Sequence, residues 1–98
     1  MGVHMANRAF RASREPVNLI GDATANMAAG TAYNIQNLTT TYVRYASAAS
    51  APDPDSFRGA FMLAPGEFRK VTAPASGGYW FWGADGNATI AIDEAPTE

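Results

Sequence analysis

The chain has 98 residues, enough for one small domain, and it contains no cysteine, which excludes disulfides, thiolate metal sites and a cysteine nucleophile. Its net charge of −2 argues against a nucleic-acid-binding domain, since such domains present an excess of Lys and Arg. Leu, Ile, Val and Phe together number only 16. We therefore expect a thin core that neighbouring subunits or a partner help to cover.

The first predicted element is a basic N-terminal arm. Arg8, Arg11 and Arg14 precede the first acidic residue, Glu15, and Phe10 lies among them. Such an arm suits docking on an acidic neighbour, with Phe10 as an apolar contact, or it is simply solvated. We divide the chain into this arm, a β-domain and a short acidic tail: residues 1–14, 15–94 and 95–98.

Beyond the arm, the pattern is one of short strands separated by turns. Tyr, Thr, Val and Phe recur with a period of two, and no interval has the length and periodicity of a crossover helix. The predicted strands are, in chain order, 16–20, 32–38, 39–47, 61–63, 68–73, 79–84 and 88–93. Seven short strands predict an all-β protein, a small antiparallel β-sandwich that is either jelly-roll-like or Ig-like.

The turns between these strands carry recognisable signals. The segment 48–56 contains two prolines and is predicted to be a loop. The triplet 65–67 reads Pro-Gly-Glu, which predicts a type II turn with Gly66 at positive φ. The triplet 85–87 reads Asp-Gly-Asn, which predicts a β-hairpin between the last two strands.

The most unusual stretch is GYWFWG, residues 78–83. Alternation places Tyr79 and Phe81 on one face of a strand, and Trp80 and Trp82 on the other. One pair can fill the domain's own core. The other pair either lies beneath a loop or arm of the same chain, or forms a protein interface, or provides a stacking platform for sugars.

Motifs for catalysis and cofactors are weak. The single histidine, His4, lies in the arm, which is a poor place to hold a catalytic base. Asp53 and Asp55 supply too few oxygen ligands for calcium and suit a turn better. We expect no enzyme activity, no cofactor and no metal site. Asn37 and Asn87 begin N-glycosylation acceptor triplets, which are frequent by chance.

Three segments resemble a loose class of short structural proteins of tailed bacteriophages. They are YNIQNLTTTYVRYASAASAP, LAPGEFRKV and YWFWGADGNATIAIDEA, and they fall within residues 33–95. The resemblance implies a virion component, such as a head decoration (cement) protein or a small tail accessory protein. Such proteins are small β-sandwiches that bind between capsid subunits, often as trimers or dimers. The resemblance carries over no catalytic residues.

The expected function is therefore a non-enzymatic capsid decoration protein on the outside of the virion. Its expected partners are the major capsid protein or other virion proteins, and copies of itself in a trimer or dimer; no membrane or nucleic acid is expected. The alternative is a carbohydrate- or receptor-binding β-sandwich module. The predicted partner-binding residues are Arg8, Phe10, Arg11, Arg14, Trp80 and Trp82, with Tyr79 and Phe81 as the second choice of aromatic pair.

Overall fold

A computed structural model of the protein describes residues 8–55 and 60–94. The predicted tail, His4 and the first half of the predicted arm lie outside these residues. Eight strands form the described fold: β1 (Arg8–Ala12), β2 (Val17–Asn18), β3 (Ala32–Asn37), β4 (Val43–Ala48), β5 (Phe61–Leu63), β6 (Phe68–Thr72), β7 (Gly78–Gly83) and β8 (Ala88–Glu94). Within the described residues the structure contains no helix that could span a bilayer.

The strands form two antiparallel four-stranded sheets, so the predicted all-β sandwich is confirmed. The first sheet has the order β1-β8-β3-β6, and the second has the order β2-β7-β4-β5. This order is that of an eight-stranded jelly roll, and consecutive strands lie in different sheets except for β4 and β5. Of the two predicted alternatives, the structure has the jelly-roll topology and not the Ig-like one.

The additional strand, β1, comes from the predicted N-terminal arm. Residues 8–12 pair with β8 along their whole length, with Phe10 opposite Ile90. Phe10 and Ala12 are buried in the core. The prediction that the arm extends to residue 14 is therefore wrong for these five residues, because alternate apolar side chains give them an inward face that completes the edge of the first sheet.

The predicted tight turns form, but the Asp-Gly-Asn turn joins two strands that do not pair with each other. In the Pro-Gly-Glu turn the Glu67 N–H donates to the Ala64 carbonyl over 2.9 Å, and Gly66 has a φ of 77°, as predicted for type II. The Asp-Gly-Asn turn connects β7 to β8, which belong to different sheets. The predicted hairpin is thus wrong. A tight turn reverses the direction of the chain, but it does not determine whether the two strands it joins pair with each other.

The core lies between the two sheets and is built from alternate residues. In β3 the inward residues Tyr33, Ile35 and Asn37 are buried, while their neighbours are half-exposed. Leu19, on the connection after β2, is fully buried beside them. The core side chains are Phe10, Ala12, Leu19, Ala25, Met27, Tyr33, Ile35, Val43, Tyr45, Leu63, Val71, Ala73, Tyr79, Phe81, Ala88, Ile90 and Ile92.

Asn37 is the buried polar residue of this core. Its Nδ2 donates to the carbonyls of Thr41 and Leu63, at 2.6 and 3.1 Å. Its Oδ1 accepts from the backbone N–H and the hydroxyl of Thr39, at 3.0 and 2.7 Å. A buried amide is tolerated when its donors and acceptors are all used. Asn37 therefore joins the β3–β4 connection to β5, and its amide is inaccessible to glycosylation, whereas Asn87 is exposed.

Candidate interaction surfaces

One face of the GYWFWG strand, β7, belongs to the core. Tyr79 and Phe81 point between the sheets and are buried. The Phe81 ring stacks on Tyr45 of the neighbouring strand, with centroids 5.0 Å apart, and meets Tyr79 edge-on at the same separation. Burial raises the pKa of the Tyr79 hydroxyl above its ordinary value, and Tyr45 adds to the effect. These rings supply much of the volume that the few large aliphatic residues leave unfilled.

The other face of β7 is also covered. Trp82 is only 1% exposed, and Trp80 is half-buried with its Nε1 donating to the Ala48 carbonyl over 2.9 Å. The connection that follows β4 reaches Asp55, whose carboxylate lies 3.8 Å from Arg14 at the opposite edge of the second sheet.

The aromatic strand is thus buried by its own chain. Of the three interpretations of GYWFWG, the one in which the second pair is covered by the same protein agrees with the burial of Trp82 and with the hydrogen bond of Trp80 to Ala48. The flanking glycine fits this packing: a Cβ at Gly78 would lie 2.6 Å from Trp80 Nε1 and 3.0 Å from the Asn18 amide group. A glycine there leaves room for the indole against the sheet.

The six predicted partner-binding residues do not form one surface. Arg8 donates from Nε to the Ala25 carbonyl over 2.9 Å, and Phe10 and Trp82 are buried. Arg11 is exposed opposite Thr89 on the first sheet, whereas Arg14 and Trp80 belong to the region around the second sheet. The structure therefore separates the predicted basic and aromatic contacts and buries two of them.

Exposed apolar side chains lie elsewhere, and the first group surrounds β5. Phe61 is 61% exposed and Met62 is 43% exposed, although both belong to a strand. Tyr42, one residue before β4, is also exposed. Met62 pairs with Arg44 on the outer face of the second sheet, and Tyr42 precedes that position by two residues on the same side of the chain. Phe61, the residue before Met62, lies on the inner face of this edge strand, opposite Tyr45. We call Tyr42, Phe61 and Met62, which flank the two faces of the β5 edge, the β5 patch.

Beside the β5 patch, a polar cluster closes the open side between the sheets. Arg69 of β6 points inward, donates from Nη1 to the Tyr45 hydroxyl over 2.7 Å and forms an ion pair with Glu67. Phe61 packs against the same Tyr45 ring, with centroids 5.5 Å apart. The hydrogen bond to Tyr45, together with the one to Glu67, raises the pKa of Arg69. An inward charge of this kind discourages another chain from adding a strand at β6.

The pKa of Glu67 is lowered, first by the hydrogen bond that the Ala64 N–H donates to its carboxylate over 2.8 Å and then by Arg69. A lowered pKa means that the unfolded chain binds the proton first as the pH falls. The stabilisation by ionised Glu67 is therefore complete above its ordinary pKa of 4.5 and disappears as the pH falls through the lower, folded-state value.

We expect Glu67→Gln to lower the free energy of unfolding near neutral pH and to have a smaller effect at an acidic pH well below 4.5, where Glu67 is increasingly protonated. Urea unfolding of both proteins at the two pH values measures this difference. Glu94→Gln, which removes the same charge from an exposed position at the end of β8, controls for net charge. A gap between wild type and Glu67→Gln that persists unchanged in acid would contradict the assignment.

A second exposed group lies on the outer face of the first sheet. Phe68 of β6 is 63% exposed, and Leu38, just after β3, is 54% exposed. They line a trough of about 380 Å³. Its lining residues are Arg8, Ala9, Asn34, Gln36, Leu38, Phe68, Ala91 and Asp93. We call this feature the first-sheet trough.

The sequence pattern contained a signal for Phe68. In the predicted strand 68–73, Phe68 shares a face with Lys70 and Thr72, whereas Val71 and Ala73 share the opposite face. An aromatic residue among polar neighbours indicates an exposed ring. Phe61 had no such signal: it points inward, opposite Tyr45, and is exposed because β5 forms the edge of its sheet.

Comparison of the chain with protein families, with curated proteins and with solved structures found no match.

Proposed function

We propose that this protein is a non-enzymatic structural component of a bacteriophage particle, a decoration protein that binds the outside of the head shell and stabilises it by adhesion. The observation that carries the proposal is the β5 patch, where Phe61 and Met62 are exposed on a short edge strand of a closely packed sandwich. Large apolar side chains exposed on both faces of one sheet edge give a partner an apolar contact there, as is common at protein interfaces.

Two further observations support this proposal. The sequence resembles short virion proteins over most of the β-domain, and the jelly-roll order of strands is one that viral capsid domains use. The second is an analogy of fold, which by itself does not determine function. The β5 patch supports the proposal independently, because it is a specific surface through which the protein could bind a partner.

The proposed mode of binding is side-chain docking at the β5 edge. Phe61 rests on Tyr45, and Tyr45 in turn is held by Arg69 and by the core rings. The exposed ring is thus supported from below by buried neighbours, as is usual for interface anchors. Many identical copies on one shell would add their individual contacts, so modest affinity per copy suffices. Self-association as a trimer or dimer belongs to the same proposal.

The test uses shells of the phage that encodes the chain, prepared without this protein. Purified wild-type protein should bind these shells and raise the temperature at which they release DNA. The double variant Phe61→Ser with Met62→Ser should bind about thirtyfold more weakly, the effect of losing about 2 kcal/mol from an interface anchor.

Phe68→Ser is the matched control, because Phe68 is the same residue type with nearly the same exposure, on the other sheet. It should bind shells as wild type does. Shell binding that survives in the double variant would exclude the β5 patch as the contact. Failure of wild-type protein to bind shells, together with its absence from purified virions by mass spectrometry, would exclude the proposed function itself.

A further inference from the structure

The depth of the first-sheet trough varies because the strand register places side chains of different size side by side. Ala9, Ala91, Gln36 and Phe68 lie opposite one another in a single row across all four strands. Neighbouring strands are about 4.8 Å apart, so the row is about 14 Å long. Two alanines at one end and a phenylalanine at the other create a depression with an aromatic wall.

The row beside it is polar. Asp93, Asn34 and Lys70 lie opposite one another across β8, β3 and β6. Since this row is two residues along each strand, it lies about 7 Å from the Phe68 row. The side chains of Asn34 and Asp93 form no hydrogen bond or ion pair with other described residues, although both are half-buried. Their polar atoms are therefore available to a ligand.

Gln36 adds a polar side chain to the row that contains Phe68. Gln36 lies between Phe68 and Ala91 in the register, and its Nε2 donates to the Gly66 carbonyl over 3.2 Å, which restricts the rotation of the amide. An amide with restricted rotation discriminates between hydroxyl positions better than a freely rotating one. The trough thus combines an exposed aromatic ring with planar polar groups that each offer two hydrogen-bonding atoms.

From this arrangement we infer that the first-sheet trough binds a short neutral saccharide, with Phe68 against the apolar face of a pyranose ring and with Gln36, Asn34 and Asp93 at its hydroxyl groups. Both the ring and the amides have a use with such a ligand, whereas a purely apolar peptide would leave the half-buried amide and carboxylate groups without partners.

Charge and size favour the same class of ligand. The outward charged side chains of the polar row, Asp93 and Lys70, are of opposite sign. Arg8 also borders the trough, but it shares the inward face of Phe10 and its Nε donates to the Ala25 carbonyl. An anionic polymer would need a cationic excess. The volume of about 380 Å³ falls at the lower end of the range for small-ligand pockets, roughly 300 to 1,000 Å³, which suits one or two sugar rings.

The experiment is a titration of isotope-labelled full-length protein with lactose, maltose, cellobiose and N,N′-diacetylchitobiose, followed by amide resonances. At least one disaccharide should bind with a Kd on the order of 1 mM. The shifted amides should belong to β1, β8, β3 and β6, with the largest shifts near residues 34–36, 68 and 91–93. The indoles lie on the opposite sheet, so Trp fluorescence is not a suitable readout.

Variants separate stacking from a general change in the sheet. Phe68→Ser and Asn34→Ala should each weaken binding about tenfold or more, whereas Phe68→Trp, with a larger ring, should retain or strengthen it. Phe61→Ser should bind the saccharide as wild type does. A merely structural role for Phe68 would make Trp and Ser equally harmful.

Three results would overturn the inference. The first is the absence of any shift in these strands with all four disaccharides at about 20 mM, well above the expected Kd. The second is unchanged saccharide binding by Phe68→Ser. The third is a shift of the same amides on simple dilution without sugar, which would assign the trough to a second copy of this chain. Because the saccharide site and the β5 patch use different faces and reciprocal control variants, failure of one proposal leaves the other open to its own test.

Discussion

Replacing Asn37 by alanine is expected to lower the free energy of unfolding by about 3 to 5 kcal/mol. The change removes both donors to the carbonyls of Thr41 and Leu63 and the acceptor for Thr39, in a position with no access to water. Each buried group left without a partner costs about 1 to 3 kcal/mol. Urea unfolding, followed by the fluorescence of Trp80 and Trp82, measures the difference.

Asn34→Ala is the matched control for this prediction. Asn34 lies in the same strand, three residues earlier, but it faces outward and makes no hydrogen bond with other described residues. Its replacement should change stability by about 0.5 kcal/mol or less. Equal and small effects of the two substitutions would show that the amide network of Asn37 contributes little.

The second large effect is expected for Gly83→Ala, at the end of β7. A Cβ there would lie 1.8 Å from the Gly86 carbonyl oxygen and 3.0 Å from its carbon, both of which belong to the backbone. The Gly83 N–H also donates to the Ser13 carbonyl over 2.7 Å, so the strand cannot move away without losing that bond. We expect a loss of about 3 kcal/mol or more, with amide shifts concentrated in residues 84–87.

Gly66→Ala separates steric overlap from backbone conformation. Gly66 has positive φ, but a Cβ there would meet no atom within 4 Å. Its replacement should therefore cost only about 1 kcal/mol, the strain of a non-glycine residue in that conformation. If Gly83→Ala were no more harmful than Gly66→Ala, the close approach of the β7–β8 turn would not be a constraint on this sequence.

Local patterns predicted the strands well because alternation is local. The strand 61–63 and the alternation of Tyr33, Ile35 and Asn37 agree with the structure, as does the type II turn around Gly66. Sheet membership was not predictable in this way. Among the eight described strands, only β4 and β5 are neighbours in the sequence and also pair with each other. The other strands pair with distant segments of the chain, and local sequence does not specify which ones.

The candidate sites were harder to predict than the fold. GYWFWG is the most unusual stretch of the sequence, yet Tyr79, Phe81 and Trp82 are buried and Trp80 is half-buried. The exposed rings belong instead to unremarkable stretches, FML and FRKVT. Composition correctly suggested a shortage of large aliphatic side chains, but the shortage is met by aromatic residues that pack inside the domain. Only the alternation around Phe68 pointed to a surface.

The pairing of β1 with β8 also has a kinetic consequence. Phe10 lies opposite Ile90, so the first described strand pairs with a segment eighty residues later in the chain. Closing a loop of that length has a large entropic cost before any contact rewards it, and topologies dominated by such distant pairs fold slowly. During synthesis on the ribosome, the first sheet cannot close until β8 has emerged. Until then the side chains of Phe10 and Ala12 lack the β8 residues that they lie opposite in the folded protein, so β1 remains an unpaired apolar segment during that time.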